Sequence, residues 1–261
     1  MLTTHEISTN SFIHPPAGID AVRIYEFKGD ERISLIPEGR VEVMFQLQGD
    51  FLHSLDAGDN WEERPFSFIG GMHSSSYEVH LRKGSGLCLG ITLRPACAHK
   101  VIGDRLNDFQ NAIIDIVDVF GIVGKELNEK VMEQRDIQSQ VTIIRSFLAN
   151  RYAGNQHMER SGFLEKAISG LNDHSVASVA DSVGLSNSQF RRCFREKVGL
   201  SPKRYAQIRR VNQAIKLMTQ MAFSSLTDIT YQLAYYDQSH FVREFRSVTG
   251  KSPKELRKSL Q

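Results

Sequence analysis

No long apolar run occurs in this chain. Its most hydrophobic window, residues 112–123, is interrupted by Asp115 and Asp118, well short of the ~20 apolar residues that cross a bilayer as a helix; no membrane partner is expected. Cysteine is scarce: Cys88, Cys97 and Cys193 are an odd number without C-x-x-C spacing. That excludes a disulfide framework and points to reduced thiols in a cytoplasmic protein. Residues 1–16 place His5 and Glu6 where a secretory leader would be apolar. The histidines His53, His73 and His80 are isolated, and Glu42 and Glu78 do not combine with them at a metal-ligand spacing, so no metal site is expected. Gly70-Gly71 and Gly84 to Gly90 form no phosphate loop, and only His99 lies near Cys88 and Cys97. The expectation is therefore no catalytic residues and no cofactor.

What is present is unevenly distributed. The formal charge is +2, but residues 1–160 carry 16 Lys and Arg against 22 Asp and Glu, and residues 161–261 carry 16 against 8. A net of −6 is thus joined to a net of +8, as expected of a basic nucleic-acid-binding part beside an acidic sensing part. Residues 1–100 read as short β segments, Val22–Phe27, Val41–Leu47, Phe66–Ile69, Tyr77–Leu81 and Leu87–Leu93, separated by Gly- and Asp-rich turns. The pattern then becomes helical. Val123, Leu127 and Val131 predict a helix over 120–134, and Ile137, Val141, Ile144 and Leu148 one over 136–152. The 4-3-4 spacing of the second suits either packing on its own domain or a homodimer seam. Ala153 to Gly162 lacks apolar periodicity and reads as a linker.

The strongest signal is an internal repeat. Ser188 to Lys203 returns 51 residues later as Ser239 to Lys254, with nine of sixteen positions identical and no gap. Phe190 and Phe194, like Phe241 and Phe245, lie four apart on one helical face. The opposite face carries Asn187, Ser188, Arg191, Arg192 and Arg195 in the first copy. In the second it carries Gln238, Ser239, Val242, Arg243 and Arg246. Gly199 and Gly250 fit a left-handed cap, and Ser201-Pro202 and Ser252-Pro253 start a new helix. Each copy follows a shorter helical segment, Val176 to Val183 or Leu226 to Ala234, which makes two helix-turn-helix units. A helix over 202–218 joins them and would span ~25 Å, a length suited to placing two helices near the ~34 Å groove repeat. An isolated arginine face is more often merely solvated; its duplication points to two docking events on double-stranded DNA.

The motifs G-L-S-N-S-Q-F-R-R-C-F-R-E-K-V-G-L-S-P-K-R-Y and A-Y-Y-D-Q-S-H-F-V-R-E-F-R-S-V-T-G-K-S-P-K-E-L-R, with Arg210 and Ala214 between them, resemble the DNA-binding domain of AraC-type bacterial transcription regulators. The chain departs from that pattern at Ala234, where glycine is usual, at Thr230, where a small residue is usual, and at Leu256, where an aromatic is common. The resemblance implies base contacts from Asn187, Ser188, Arg191, Arg192, Gln238, Ser239, Val242 and Arg243. Arg195, Lys203, Arg204, Arg246 and Lys254 are expected on phosphates. Ile36–Phe45 and Leu89–Ala98 are similar to the cupin-like barrel of one AraC-type subgroup. The expected architecture is a two-domain chain. An α+β domain, a small barrel or sandwich with two amphipathic helices, covers 1–152, and an all-α double helix-turn-helix domain covers 163–261 after a linker at 153–162. The resemblance implies a regulator, with activation through RNA polymerase favoured, controlled by an unknown effector. Two alternatives stay open: control by a protein partner rather than a small molecule, and a cupin-type enzyme fused to a helix-turn-helix domain.

Overall fold

The computed structural model describes residues 2–7, 18–29, 32–55, 60–155, 162–219 and 225–259. Strands β1 (Leu2–Ile7), β2 (Ile19–Lys28), β4 (Val41–Gln48), β7 (Ser67–Gly70), β9 (Ser85–Leu93) and β10 (Ile113–Asp115) form an antiparallel sheet in the order β1-β2-β9-β4-β7-β10. Strands β3 (Arg32–Leu35), β5 (Phe51–Ser54), β6 (Glu62–Glu63) and β8 (Tyr77–Leu81) form a second, ordered β3-β8-β5-β6. Successive strand residues point to opposite faces, and both faces of the larger sheet are used. Val41, Val43 and Phe45 of β4 and Leu89, Ile91 and Leu93 of β9 join the core beneath the helices. Met44 and Cys88 turn instead towards Phe51, Val79 and Leu81 of the smaller sheet. The result is a β-sandwich whose larger sheet carries helices on its outer face.

The expected strand Tyr77–Leu81 coincides with β8, and three others lie inside β2, β4 and β9. The segment at Phe66–Ile69 is shifted by one residue, since β7 begins at Ser67. β1, β3, β5, β6 and β10 were not expected. Four of these five are two to four residues in the small sheet or at an edge, too short to show alternation.

Past α1 (Ala98–Ile102) and a 3₁₀ turn at Leu106–Phe109, the helix expected over 120–134 is present as α3 (Ile122–Met132), and a short helix that was not expected, α2 (Ile116–Phe120), precedes it. Helix α2 stops at Gly121, φ 61°, and α3 starts beyond it. The pair fold back closely enough that a Cβ on Gly124 would lie 2.8 Å from the Ile116 carbonyl. Helix α4 (Ile137–Gly154) matches the expectation, and Asp136 caps it by accepting from the Ser139 N–H at 2.8 Å. Leu127 and Val131 of α3 and Val141, Ile144 and Leu148 of α4 are buried against their own domain. These positions thus pack within the chain, one of the two uses the spacing allowed.

The linker expected at 153–162 lies mostly outside the described residues. After it come α5 (Gly162–Gly170), α6 (Val176–Ser182), α7 (Asn187–Val198), α8 (Pro202–Thr219), α9 (Leu226–Gln232), α10 (Gln238–Thr249) and α11 (Pro253–Ser259). Their buried residues, from Leu164 through Phe190 and Phe245 to Leu256, belong to the same continuous core as the outer face of the sheet. Among the described residues no helix is long and apolar enough to cross a membrane.

The two turns inside the helix-turn-helix units differ. Gly184 takes φ 72° and Ala234 takes φ 53° at matched places. A left-handed conformation costs a residue bearing a Cβ about 1–2 kcal/mol, offset in part by the lower unfolded-state entropy of alanine. Ala234→Gly is therefore expected to stabilise the chain by about 0.5–1 kcal/mol, and Gly184→Ala to destabilise it by about 1 kcal/mol. Urea unfolding followed by circular dichroism measures both, and equal signs at the two positions would contradict the strain assigned to Ala234.

Candidate nucleic-acid interface

Helix α7 opens on a capping box. The Ser186 Oγ accepts from the Gln189 N–H at 3.3 Å, and Gln189 Oε1 accepts from the Ser186 N–H at 3.2 Å. It ends at Gly199 with φ 92°. Helix α10 opens on Asp237, which accepts from the His240 N–H at 2.6 Å, and ends at Gly250 with φ 71°. Phe190, Phe194 and Val198 seat the first helix, and Phe241, Phe245 and Val248 the second, all fully buried. The Phe190–Phe194 and Phe241–Phe245 ring centroids are both 5.6 Å apart. The repeat in sequence is thus a repeat in packing.

With those faces buried, the polar ones are turned to solvent. Asn187, Ser188, Arg191, Arg192 and Arg195 of α7 are exposed, as are Gln238, Ser239, Arg243 and Arg246 of α10. Arg191 Nε donates to Asn187 Oδ1 at 2.8 Å, and Arg243 Nε to the Ser239 carbonyl at 3.3 Å. These contacts hold each guanidinium along its helix with its other donors free for a groove edge. Val242 is half-buried against the core, so only part of its surface belongs to this face. Lys203 and Lys254 are exposed at the starts of α8 and α11.

Arg204 differs from the expectation of a phosphate contact. Its guanidinium turns inward, donating from Nε to the Ser74 carbonyl at 3.0 Å, from Nη2 to the Ser247 carbonyl at 2.8 Å and from Nη1 to Ser247 Oγ at 3.0 Å. Arg204 therefore joins α8 and α10 to the β domain. Desolvation lowers its pKa, while the three contacts offset the cost of burial. Neighbouring contacts do the same work: Asn212 Nδ2 donates to the Pro37 carbonyl at 2.7 Å, the Ser76 N–H to the Val248 carbonyl at 2.8 Å, and Lys197 meets Asp104 at 3.4 Å. All of them gather at the C-terminal ends of α7 and α10 and along α8. Asn187, Ser188, Arg191 and Arg192, and Gln238, Ser239 and Arg243, stay exposed with the β domain in place.

Sequence reading missed a polar knot in the second unit. Glu244 is 6% exposed and accepts from the Tyr235 hydroxyl at 2.8 Å, with Arg210 Nε and His240 Nε2 each 3.7 Å from it. Arg210 also lies 4.9 Å from the centre of the Tyr235 ring. Burial, then the Glu244 charge, pushes the Tyr235 phenol pKa well up, so it stays a donor. The signal was present: Glu244 stands where the first copy has Cys193, and A-Y-Y-D replaces G-L-S, one residue longer. The additional residue, Tyr236, is 93% exposed beside the start of α10.

Residues 179–259 match the family described as a helix-turn-helix domain. The chain is 30% identical over 107 residues to the arabinose operon regulatory protein of Escherichia coli (strain K12), covering 39% of this chain and 36% of that protein. It is 29% identical over 142 residues to the HTH-type transcriptional activator RhaS of Citrobacter koseri, covering 51% and 49%. The matches thus span about a third to a half of the length of these curated relatives. Among solved structures, ToxT of Vibrio cholerae superposes with a TM-score of 0.50 at 12% identity, over 92% of this chain and 98% of that one; the likeness is one of fold. The C-terminal region is a double helix-turn-helix DNA-binding domain following a β-sheet domain. The chain is similar there to regulators of the AraC type.

Arg192→Ala or Arg243→Ala is expected to cost ~1–3 kcal/mol on a selected site and much less on random duplex. Equal losses on both, measured by fluorescence anisotropy, would make these arginines phosphate contacts instead.

Proposed function

We propose that the chain is a sequence-specific DNA-binding transcription regulator whose N-terminal domain responds to a small-molecule effector. The observation that carries the reading is the pair of matched basic helix faces, both open to solvent while the β domain is docked behind them. Asn187, Ser188, Arg191 and Arg192 from α7, and Gln238, Ser239 and Arg243 with the exposed part of Val242 from α10, read base edges. Arg195, Lys203, Arg246 and Lys254 supply phosphate contacts. Helix α8, 18 residues long, extends about 27 Å, in keeping with two helices addressing successive major-groove segments on one DNA face.

Control by masking would require the β domain to cover those faces, and it does not. Its contacts at Arg204, Asn212 and Val248 suit a different control, in which the β domain sets the relative placement of α7 and α10 and an effector alters it. The names of the relatives, an operon regulatory protein and a transcriptional activator, favour activation with RNA polymerase as partner. They also favour a non-enzymatic, cytoplasmic role.

Selection of full-length protein on a random duplex library tests this. The expected motif has two information-rich segments about one helical turn apart. A motif with one segment would reduce the second unit to a phosphate anchor, and no enrichment would remove the reading. Removing any one of Arg195, Lys203, Arg246 or Lys254 is expected to lower the slope of log K against log salt by about 1, with the preferred sequence unchanged.

A further inference from the structure

The interior of the β-sandwich contains two arginines in contrasting surroundings. Arg23 is matched: Glu42 lies 3.6 Å and Glu38 4.0 Å from it, and Glu42 in turn accepts from the Tyr25 and Thr92 hydroxyls at 3.0 and 2.9 Å. Arg64 is not. It is 8% exposed, and among the described residues no carboxylate reaches it within ion-pair distance. Its guanidinium lies over the rings of Phe68 at 4.9 Å and Tyr77 at 6.0 Å and hydrogen-bonds the neutral Tyr77 hydroxyl, while its Nε–H has no hydrogen-bond partner.

Two histidines adjoin it. His73, 9% exposed, stacks on Tyr77 with ring centroids 4.2 Å apart, and its Nε2 has no partner. His53, 4% exposed, turns Nε2 towards Glu62 at 3.7 Å and leaves Nδ1 without a partner. Burial and then the Arg64 charge lower both imidazole pKa values, that of His73 to about 4. Near neutral pH the cluster therefore holds one permanent cation and two neutral rings. A fourth atom without a partner is Gln46 Oε1, whose own Nε2 is fixed by the Arg64 and Pro65 carbonyls at 3.0 and 2.7 Å.

A metal cation does not suit a cluster that includes a fixed guanidinium, whereas an anion does. A buried positive charge is costly without a counter-charge, and a guanidinium edge, with a neutral imidazole whose proton sits on its open nitrogen, offers N–H donors to a planar acceptor. The apolar walls, Phe68, Met44, Phe51 and Val79, favour a singly charged organic acid over a strongly hydrated phosphate.

His73 also belongs to the segment that joins β7 to β8 and docks on the other domain. Met72 packs on Gly199, the cap of α7: a Cβ there would lie 3.2 Å from the Met72 side chain. The Ser74 carbonyl accepts from Arg204 of α8, and the Ser76 N–H donates to the Val248 carbonyl of α10. Five residues thus run from the cluster to both DNA-reading helices and the helix that joins them.

We propose that Arg64, His53 and His73 form a carboxylate-binding site inside the β-sandwich, and that the segment from Met72 to Ser76 transmits its occupancy to α7 and α10. The proposal rests on the regulator reading above and names the chemical class of its effector.

The test is thermal unfolding of the full-length chain with acetate or benzoate, against equal concentrations of acetamide, benzamide and inorganic phosphate at constant ionic strength and neutral pH. A ligand that binds only the folded state raises the melting temperature. The expected result is a rise of several degrees with at least one carboxylate, none with its amide or with phosphate, and loss of the rise in Arg64→Gln. Binding to a selected duplex, followed in the same samples, should change at least threefold with the active carboxylate. No difference between acids and amides on wild-type protein overturns the proposal, even if Arg64→Gln fails to fold. A rise that persists in folded Arg64→Gln places the anion elsewhere and overturns it too. If specific duplex binding survives either of those results, the regulator reading stands without this site. A carboxylate response without specific duplex binding would reverse that outcome.

Discussion

Gly199 is the point on which both halves of the molecule depend. Its left-handed backbone, φ 92°, lets α7 end and α8 begin within three residues, as the αL cap requires. Its missing side chain matters separately, because a Cβ would lie 3.0 Å from the Leu106 carbonyl and 3.2 Å from Met72. One residue therefore serves the turn of the DNA-binding domain and the seat of the β domain. Gly250 repeats the arrangement at α10, with Ser76 Oγ 3.0 Å from the position of a Cβ. The β domain touches the two units where they are most alike.

That placement explains how an acidic domain and a basic one coexist without one covering the other. The apolar outer face of the larger sheet continues into the core around Phe190 and Phe245, so hydrophobic burial holds the domains together. Polar contacts add to this: Lys197 and Asp104 form an ion pair between the domains, and hydrogen bonds from Arg204 and Asn212 to backbone carbonyls supply direction. The arginines of the exposed faces of α7 and α10 remain unspent, which a docking mode driven by opposite charge would not have allowed.

The helical half was legible because its information is local. Phenylalanines four apart, a cap glycine and a Ser-Pro start mark each helix, and α8 runs from Pro202 as expected to within a residue of its expected end. What sequence could not convey depends on partners far along the chain. Arg204 reads as a surface cation until Ser74, 130 residues away, takes up its guanidinium. The β domain was legible where apolar runs are bounded by turn residues, as in β4, β8 and β9; β5, four residues in the smaller sheet, carries too few positions to register. Helix α2, five residues ending before Gly121, is too short to show a helical period.

The two units, though copies, are no longer interchangeable. The first turns on Gly184 and holds Cys193 on its core side; the second turns on Ala234, inserts Tyr236 and ties Glu244 to Arg210. Their outward residues differ as well, Asn187 and Arg192 against Gln238 and Arg243. Under the regulator reading proposed above, the molecule therefore has a head and a tail along the duplex. Unlike a two-fold dimer, which sees a palindrome identically from either strand, a single chain of this build gives its DNA site a polarity. Inverting such a site in front of a gene would present the opposite end of the protein to whatever lies downstream.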